Sequence, residues 1–272
     1  MPRVLQIGAN SHTSGGAHAH DPVPMLISHG WSATLIEPQP AEAEMLRSRY
    51  SRNGNVSVLR EAVCPDASAS STMLWFINVS KMLGSNVSDA RCLGDLSATS
   101  GTASLSRRHV TQYQRFYRFT PSQCKACSER LQKPLPPSCL SRVYVDNLDN
   151  VSVPCARLVS ERADALVVDA EGWDAAVIKR YLMTAKMMPS VIVYEHSWLP
   201  RAMRAKLSAT LRAGGMTHFV PRPMSRTARA KALMHGPWAA LSVALSRIEI
   251  KDNSVWVRED VLNYTTTTSA VT

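Results

Sequence analysis

Apolar and polar positions form alternating blocks along the first part of the chain. Short apolar runs at Arg3–Ile7, Ser32–Ile36 and Val56–Leu59 are followed by polar, Gly or Pro residues, as is typical of buried strands. The segments between them, 22–29 and 41–52, have helical composition and end signals. Strands and helices that alternate with short connections predict a parallel sheet with right-handed crossovers.

The alternation continues in the second half after an interruption. Residues 73–78 predict a further strand or a hairpin arm, and 143–145 predicts an extended segment. The later pattern predicts strands at Ala165–Val168, 190–194, 217–220 and 254–257, and helices at about 172–183 and 200–213. Two stretches, about 84–141 and 221–247, lack a regular pattern and are interpreted as insertions.

Length and composition fit one α/β domain. The chain has 272 residues, 45% of them hydrophobic, and a mean hydropathy of −0.13. We expect a single domain over 1–262 and a flexible tail over 263–272. No apolar run reaches the roughly 18 residues that cross a bilayer, and the N-terminus lacks a signal-peptide pattern. A cytoplasmic protein, or a fragment lacking its leader, is the expectation; the oligomeric state is left open.

The net charge of +10 is distributed unevenly. Much of the excess lies in 201–231, which has no Asp or Glu, and a second basic cluster is formed by Arg107, Arg108, Arg115 and Arg118. This distribution favours a solvated helix face and a loose insertion over a site for a polyanion. We therefore expect no nucleic-acid partner.

Four of the six cysteines follow the spacing C-x2-C-x11-C-x15-C, formed by Cys124, Cys127, Cys139 and Cys155. The spacing makes them weak candidates for a zinc site, because the second half is not a tight pair. Free thiols in a reducing compartment are the favoured interpretation, so no metal site is predicted. Glycosylation sequons occur at Asn55, Asn78, Asn86, Asn150 and Asn263, and without a signal peptide they are interpreted as coincidental.

Unusual polar and small residues follow five successive strands. In chain order they are Gly8, Ala9 and Asn10, then Glu37, then Glu61, then Asp169 and Glu171, and finally Glu195 and His196. Ligands of open parallel sheets bind at the carboxyl ends of the strands, near the point where the strand order reverses. Their repetition at five ends predicts a ligand site there.

Each early strand end has its own rationale. Gly8 allows close approach of the backbone to a ligand, although a plain tight turn is the alternative. Backbone amides of the loop 8–17 are suited to hold an anionic group. Glu37 is placed to accept hydrogen bonds from ribose hydroxyls, although a carboxylate at a helix N-terminus is the alternative.

The stretch from Asp169 through Glu171 to Asp174 puts three carboxylates within six residues, directly after a buried strand. Like charges this close repel one another, and burial raises at least one pKa. Such a cluster serves catalysis, metal binding or recognition of a cationic ligand. The alternative is a helix start with acidic residues in its first turn.

The segments VLQIGAN, LIEPQP, REAV, LVVDAEGWD and SVIVYEH, in this order, resemble the FkbM-type class I methyltransferases. The later segment DNSVWVR resembles the last strand of that family. The resemblance implies a Rossmann-like class I methyltransferase fold, with a mostly parallel seven-stranded sheet and helices on both faces. It also implies S-adenosylmethionine as methyl donor and transfer of the methyl group to an oxygen of a small-molecule or glycan-like acceptor.

The resemblance also implies roles for individual residues of this chain. Gly8, Ala9 and Asn10 would line the methionine end of the cofactor, Glu37 would hold the ribose, and Glu61 and Ala62 would sit near the adenine. Asp169, with Glu171 and Asp174, would face the transferred methyl and the acceptor. Gln6 stands where the family usually has an acidic residue, and Ser11-His12 replaces its second loop glycine.

The expected chemistry is in-line displacement at a sulfonium methyl. If the acceptor must lose a proton, Asp169, Glu171, Glu195 and His196 are the candidate bases, and His196 suits neutral pH best. A loop histidine bonded to Glu195 is the alternative for His196. A nucleic-acid methyltransferase and a non-catalytic binding module of the same fold are the alternative functions.

Overall fold

The structure is a computed structural model that describes residues 1–9, 21–64, 66, 68–77, 103–113, 125, 128–129, 148–156, 162–221, 224–233, 237–248 and 253–261. Its strands are β1 (Arg3–Ile7), β2 (Ser32–Ile36), β3 (Val56–Leu59), β4 (Ser71–Ile77), β5 (Leu148–Pro154), β6 (Ala165–Val168), β7 (Val191–Glu195), β8 (Met216–Phe219) and β9 (Asn253–Arg258). Its helices are α1 (Val23–Ser28), α2 (Pro40–Tyr50), α3 (Arg107–Tyr113), α4 (Asp174–Thr184), α5 (Arg201–Ala213), α6 (Arg226–Leu233) and α7 (Pro237–Leu245).

Seven of the strands form one sheet in the order β3-β2-β1-β6-β7-β9-β8. The pairs β3–β2, β2–β1, β1–β6 and β6–β7 are parallel, whereas β9 is antiparallel to both of its neighbours. The prediction of an α/β fold with a mostly parallel seven-stranded sheet is confirmed. Strand order reverses beside β1, since the chain proceeds from β1 to β2 and β3 on one side and later adds β6 on the other. The crevice between β1 and β6 is therefore the expected ligand position.

Alternate residues of the central strands face opposite layers of helices. Leu166 and Val168 of β6 belong to a core that includes Ile178 of α4 and Leu211 of α5. Their neighbours on β6, Ala165 and Val167, belong to a second core that includes residues of α1 and α7. Because both faces of these strands are covered, their sequences are continuously apolar rather than alternating.

Segment 221–247 is more regular than the sequence predicted. Its described residues include helices α6 and α7, and α7 buries Leu241, Val243 and Leu245. The sequence of α7, PWAALSVAL, is apolar on nearly every side and so lacks the helical period that marks a surface helix. Among the described residues, no helix combines the length and hydropathy needed to cross a bilayer.

A separate two-stranded antiparallel sheet pairs β4 with β5, from Ser71 opposite Pro154 to Ile77 opposite Leu148. The predicted hairpin arm at 73–78 is therefore confirmed, whereas 143–145 lies outside the described residues. Segment 84–141 is described over 103–113 and at three single positions, and it contains α3 rather than only irregular chain.

A disulfide attaches this hairpin to the end of β3. It joins Cys64 to Cys155, whose Cα atoms are 5.4 Å apart. Backbone hydrogen bonds beside it run from Ala62 N to the Pro154 carbonyl (2.8 Å) and from Ala156 N to the Ala62 carbonyl (2.7 Å). The prediction of free thiols is wrong for these two cysteines.

The disulfide also removes one zinc candidate, because the Cys155 sulfur is bonded to Cys64. The other three candidates, Cys124, Cys127 and Cys139, lie outside the described residues. The spacing alone misled, since it gave no weight to Cys64, which lies 91 residues from its partner.

Candidate functional site

A cleft opens at the carboxyl ends of β1, β2 and β6, beside the point where the strand order reverses. It has about 610 Å³ of empty space, counting the solvent at its mouth. Six residues predicted from the strand ends line it, namely Gly8, Glu37, Glu61, Ala62, Asp169 and Glu171. The topology thus brings together residues that are up to 163 positions apart, since parallel strands end at the same edge of the sheet.

Gly8 forms the floor of the cleft where β1 and β6 end. Its φ is +78°, and a Cβ at this position would overlap the carbonyl oxygen of Asp169. The tight arrangement is held by hydrogen bonds from Gly8 N to the Ile36 carbonyl and from Asp169 N to the Ile7 carbonyl, both 2.9 Å. Glycine is therefore required here by both conformation and space.

Glu37 follows β2 and lies at the cleft with only 3% of its surface exposed. Its Oε1 accepts a hydrogen bond of 2.7 Å from the backbone amide of Gln39. Burial raises the pKa of Glu37 to about 8, the Gln39 amide lowers it, and the nearby charge of Glu42 adds a smaller increase. A group with this pKa is mostly protonated at neutral pH, so it is prepared to be ionised by a positively charged ligand.

Asp169 and Glu171 follow β6 on the opposite wall. Asp169 is exposed at the cleft, whereas Glu171 is half-buried beside it. Desolvation raises the pKa of both carboxyls well above the ordinary value, and repulsion from neighbouring carboxylates, with Glu195 among them, raises it further. A positive charge beside either carboxyl group would stabilise its ionised form.

The backbone that presents Glu171 adopts an uncommon conformation. Glu171 has a φ of +48° and Gly172 a φ of +90°, so two consecutive residues lie in the left-handed region. The Glu171 carbonyl accepts a hydrogen bond of 3.3 Å from the Ser104 hydroxyl. Such strain in a residue other than glycine is typical of functional loops.

Asp174 does not line the cleft; it lies behind it. The side chain is 1% exposed and accepts hydrogen bonds from the backbone amides of Ala170 (3.3 Å) and Gly172 (3.2 Å). Burial raises its pKa to about 7, with a further increase from Glu195. Asp174 thus positions the loop that carries Glu171 instead of facing an acceptor as expected.

Glu195 and His196 follow β7, one strand further from the reversal point, and neither lines the cleft. Glu195 accepts a hydrogen bond of 2.5 Å from the Ser197 hydroxyl. Its negative charge raises the pKa of Asp169 in the cleft. The His196 ring nitrogen Nδ1 lies 3.1 Å from the Ser254 hydroxyl. Their expected part in proton transfer is therefore not supported by proximity to the cleft.

The remaining predicted cofactor residues differ in position. Ala9 is buried, with its amide 3.2 Å from the Ile36 carbonyl, and does not line the cleft. Asn10 lies outside the described residues, as does most of the loop 8–17 that was expected to hold an anionic group.

Asp21 does not line the cleft but lies near enough for its charge to affect Asp169, and its sequence pattern did not single it out. Its Oδ2 accepts a hydrogen bond of 3.1 Å from Gln6 Nε2, and its Oδ1 accepts one of 2.9 Å from Val23 N. Its charge adds to the raised pKa of Asp169. An acidic group thus lies next to Gln6, the position at which the resembled family usually has an acid. The signal in the sequence was an Asp directly before the prolines that begin α1.

The cleft is acidic and, within its described lining, contains no Lys, Arg or His. No group of three or more His, Cys, Asp or Glu side chains among the described residues is arranged to hold a metal ion. The carboxyl groups of Glu37, Glu61, Asp169 and Glu171 give the described part of the cleft its acidic character. Comparison of the chain with known protein families, curated proteins and solved structures found no match.

Proposed function

We propose that this protein is an S-adenosylmethionine-dependent methyltransferase that methylates an oxygen of a small-molecule or glycan-like acceptor. The observation that carries the proposal is the acidic cleft at the reversal point, where four carboxylic side chains meet without a basic residue in the described lining. The family resemblance of the strand-end motifs adds the identity of the ligand.

The charge of the cleft fits the proposed cofactor. S-Adenosylmethionine carries a sulfonium and an ammonium group, and both favour a carboxylate surrounding. Glu37 lines the cleft at the end of β2, where it would accept hydrogen bonds from the ribose hydroxyls. Apolar side chains of Val63, Leu74 and Leu105 provide a surface for a flat base. Gly8 allows the ends of β1 and β6 to lie close together at the floor of the cleft, because a Cβ there would overlap the Asp169 carbonyl.

S-Adenosylmethionine, when bound, supplies an activated methyl group for in-line displacement. The residues of this chain then need to orient the acceptor oxygen and receive its proton. Asp169 and Glu171 both line the cleft, and their raised pKa makes them better proton acceptors than ordinary carboxylates once ionised. We assign the base to this pair rather than to Glu195 or His196.

Calorimetric titration with S-adenosylmethionine tests the binding half of the proposal. We expect saturable binding to the full chain and a loss of about tenfold or more in Glu37→Ala, since a hydrogen-bonded recognition group is removed. Glu44→Ala is the matched control, because the Glu44 side chain is 64% exposed and pairs with Arg47 on the surface of α2. Wild-type protein that does not bind the cofactor, or equal weakening by both substitutions, would contradict the proposal.

Transfer of a labelled methyl group to a panel of hydroxylated small molecules and glycans tests the catalytic half. We expect transfer by the wild type and a greater loss in turnover than in cofactor affinity for Glu171→Gln. Cofactor binding without transfer to any acceptor, nucleic acids included, would instead favour the non-catalytic binding module. Transfer confined to RNA or DNA would favour the nucleic-acid enzyme.

A further inference from the structure

The disulfide is the first of two independent observations that concern the compartment of this protein. Cys64 is 1% exposed and belongs to a small core with Ala62, Leu74 and Val153. Its bond to Cys155 therefore joins two segments inside the packed part of the molecule. Structural disulfides form and persist in oxidising compartments, where two thiols lose two protons and two electrons to a dithiol–disulfide oxidant. This favours an oxidising compartment over the cytoplasmic location expected from the sequence.

The second observation is the placement of the sequon Asn55-Val56-Ser57. Asn55 and Ser57 are both exposed, whereas Val56 is half-buried against the core. The backbone of Asn55 is hydrogen-bonded within the fold. Its carbonyl accepts a hydrogen bond from Ala33 N (2.9 Å), and its amide donates one to Asn53 Oδ1 (3.1 Å). None of the hydrogen bonds described for Asn55 uses its side chain, which is thus available for modification.

A second sequon, Asn150-Val151-Ser152, shows the same pattern on the hairpin. Asn150 and Ser152 are exposed on β5, whereas Val151 between them packs against the core that contains the disulfide. The period of two along a strand puts the acceptor Asn and its Ser on the outer face together. Both described sequons therefore present their acceptor side chains to solvent.

We propose that Asn55 and Asn150 are N-glycosylation sites and that the protein matures in an oxidising secretory compartment. In this modification, a bond forms between the sugar C1 and the side-chain amide nitrogen while the C1–O bond to the diphosphate of a lipid-linked oligosaccharide breaks. The amide nitrogen loses one proton, and the lipid diphosphate leaves. Asn55 precedes β3, so its glycan lies at the edge of the sheet opposite the cleft and leaves the cleft open.

Peptide mapping of the full chain isolated from the organism that encodes it tests the proposal. Treatment with an N-glycosidase in ¹⁸O-labelled water converts each glycosylated Asn to labelled Asp. We expect label at Asn55 and Asn150 but not at Asn147, which lies outside a sequon and precedes Leu148. We also expect Cys64 and Cys155 in one peptide pair before reduction. Unlabelled Asn55 and Asn150, or free thiols at both cysteines, would overturn the proposal.

Matched variants expressed in the same organism distinguish modification from a change in folding. Ser57→Ala abolishes the sequon yet leaves Asn55 in place, whereas Ser57→Thr preserves the sequon. We expect the first to lose one glycan, seen as a single step in electrophoretic mobility, and the second to keep it. Equal mobility of the two variants before enzymatic deglycosylation would contradict a glycan at Asn55.

Discussion

Two cavities of this molecule differ in size and in chemistry, and the smaller one has the features of a functional site. The second cavity lies between α7 and the sheet and has about 1230 Å³ of empty space, compared with about 610 Å³ for the acidic cleft, solvent at the mouths included. It is lined by apolar residues such as Phe219, Trp238 and Leu241. Cavity size alone therefore favours the second cavity, whereas the predicted strand-end residues line the cleft.

The charges at the two cavities explain the difference. In the second cavity, Arg258 forms two hydrogen bonds to Asp260 (2.6 and 2.7 Å), and Arg162 lies 3.6 Å from Asp164. Opposite charges are thus balanced within the protein. In the cleft, carboxylates repel one another, and the backbone is held in left-handed conformations at Gly8 and Glu171. Unbalanced charge and constrained backbone reduce stability and are therefore better indicators of function than volume.

The largest effect is expected from Gly8→Ala. The new methyl group would overlap the Asp169 carbonyl at a φ of +78°, so β1 and β6 must separate at the floor of the cleft. We expect a decrease of about 3–5 kcal/mol in the free energy of unfolding and at least about a hundredfold weaker cofactor binding. Urea denaturation and calorimetry measure the two quantities.

Gly54→Ala is the control for this substitution, because a Cβ there meets no atom within 4 Å. We expect its stability to stay within about 0.5 kcal/mol of the wild type and its affinity to be unchanged. A Gly8→Ala variant that binds the cofactor as tightly as Gly54→Ala would mean that the crevice between β1 and β6 is not the binding floor.

Removal of the disulfide is expected to reduce stability by a similar amount and to weaken binding less. The Cys64–Cys155 bond closes a loop with a sequence separation of 91 residues. The loop-entropy relation gives a decrease of about 4–5 kcal/mol in the free energy of unfolding for Cys64→Ser/Cys155→Ser. Binding should weaken as well, because Ala62 and Val63 of the cleft wall directly precede Cys64. Urea denaturation and cofactor titration provide the two measurements.

A reducing agent is the internal control for the disulfide. It should lower the stability of the wild type to that of the double variant and leave the double variant unchanged. If the reductant lowers both proteins equally, the stabilisation comes from elsewhere in the chain.

The raised pKa of Glu37 predicts a pH dependence of stability that is small over any one pH unit. Folded Glu37 keeps its proton up to about pH 8, whereas the unfolded chain loses it near 4.5. Stability without ligand is therefore highest below pH 4.5 with respect to this group and falls as pH rises toward 8, by at most about 1.4 kcal/mol per pH unit. Glu37→Gln should remove this slope and be the more stable protein at pH 8. Urea denaturation at pH 5 and pH 8 measures the difference.

Glu44→Gln is the matched control for the pH dependence, since the Glu44 side chain is 64% exposed. It should follow the wild type at both pH values. Asp174, with a pKa of about 7, adds a slope of the same sign that persists in Glu37→Gln. Identical pH profiles for the wild type and Glu37→Gln would show that Glu37 is ionised in the folded protein.

Much of the fold could be predicted because buried parallel strands have a simple sequence pattern. The predicted strand bounds at 217–220 and 254–257 differ by one residue at each affected end from Met216–Phe219 and Asn253–Arg258. Helix α7 could not be recognised, since burial on nearly every side removes its periodicity. The pairing of Cys64 with Cys155 could not be recognised either, because sequence alone leaves disulfide connectivity open.

The sequence could predict those residues of the candidate site that lie directly after a strand. Gly8, Glu37 and Asp169 line the cleft because they follow β1, β2 and β6, which are neighbours in the sheet. Glu195 follows an equally regular strand, but β7 lies one strand further from β1, beside which the strand order reverses. Spatial strand order decides which strand ends meet, and the sequence lists the strands only in chain order. Asp174 lies outside the cleft lining for another reason, since its side chain bonds to the backbone of the left-handed turn at Glu171 and Gly172.

The smallest effects are expected from substitutions at the second cavity, of which Trp238→Ala is the first. Trp238 is 43% exposed and contacts Trp31 edge to face, with ring centroids 5.2 Å apart. Loss of this contact should cost about 0.5–1.5 kcal/mol of stability and leave cofactor affinity within about twofold of the wild type. Asp260→Asn, which removes the charge partner of Arg258 at the same cavity, should cost less than about 1 kcal/mol. If either substitution weakens cofactor binding more than Glu37→Ala does, the cofactor binds in the larger cavity and the acidic cleft is not the functional site.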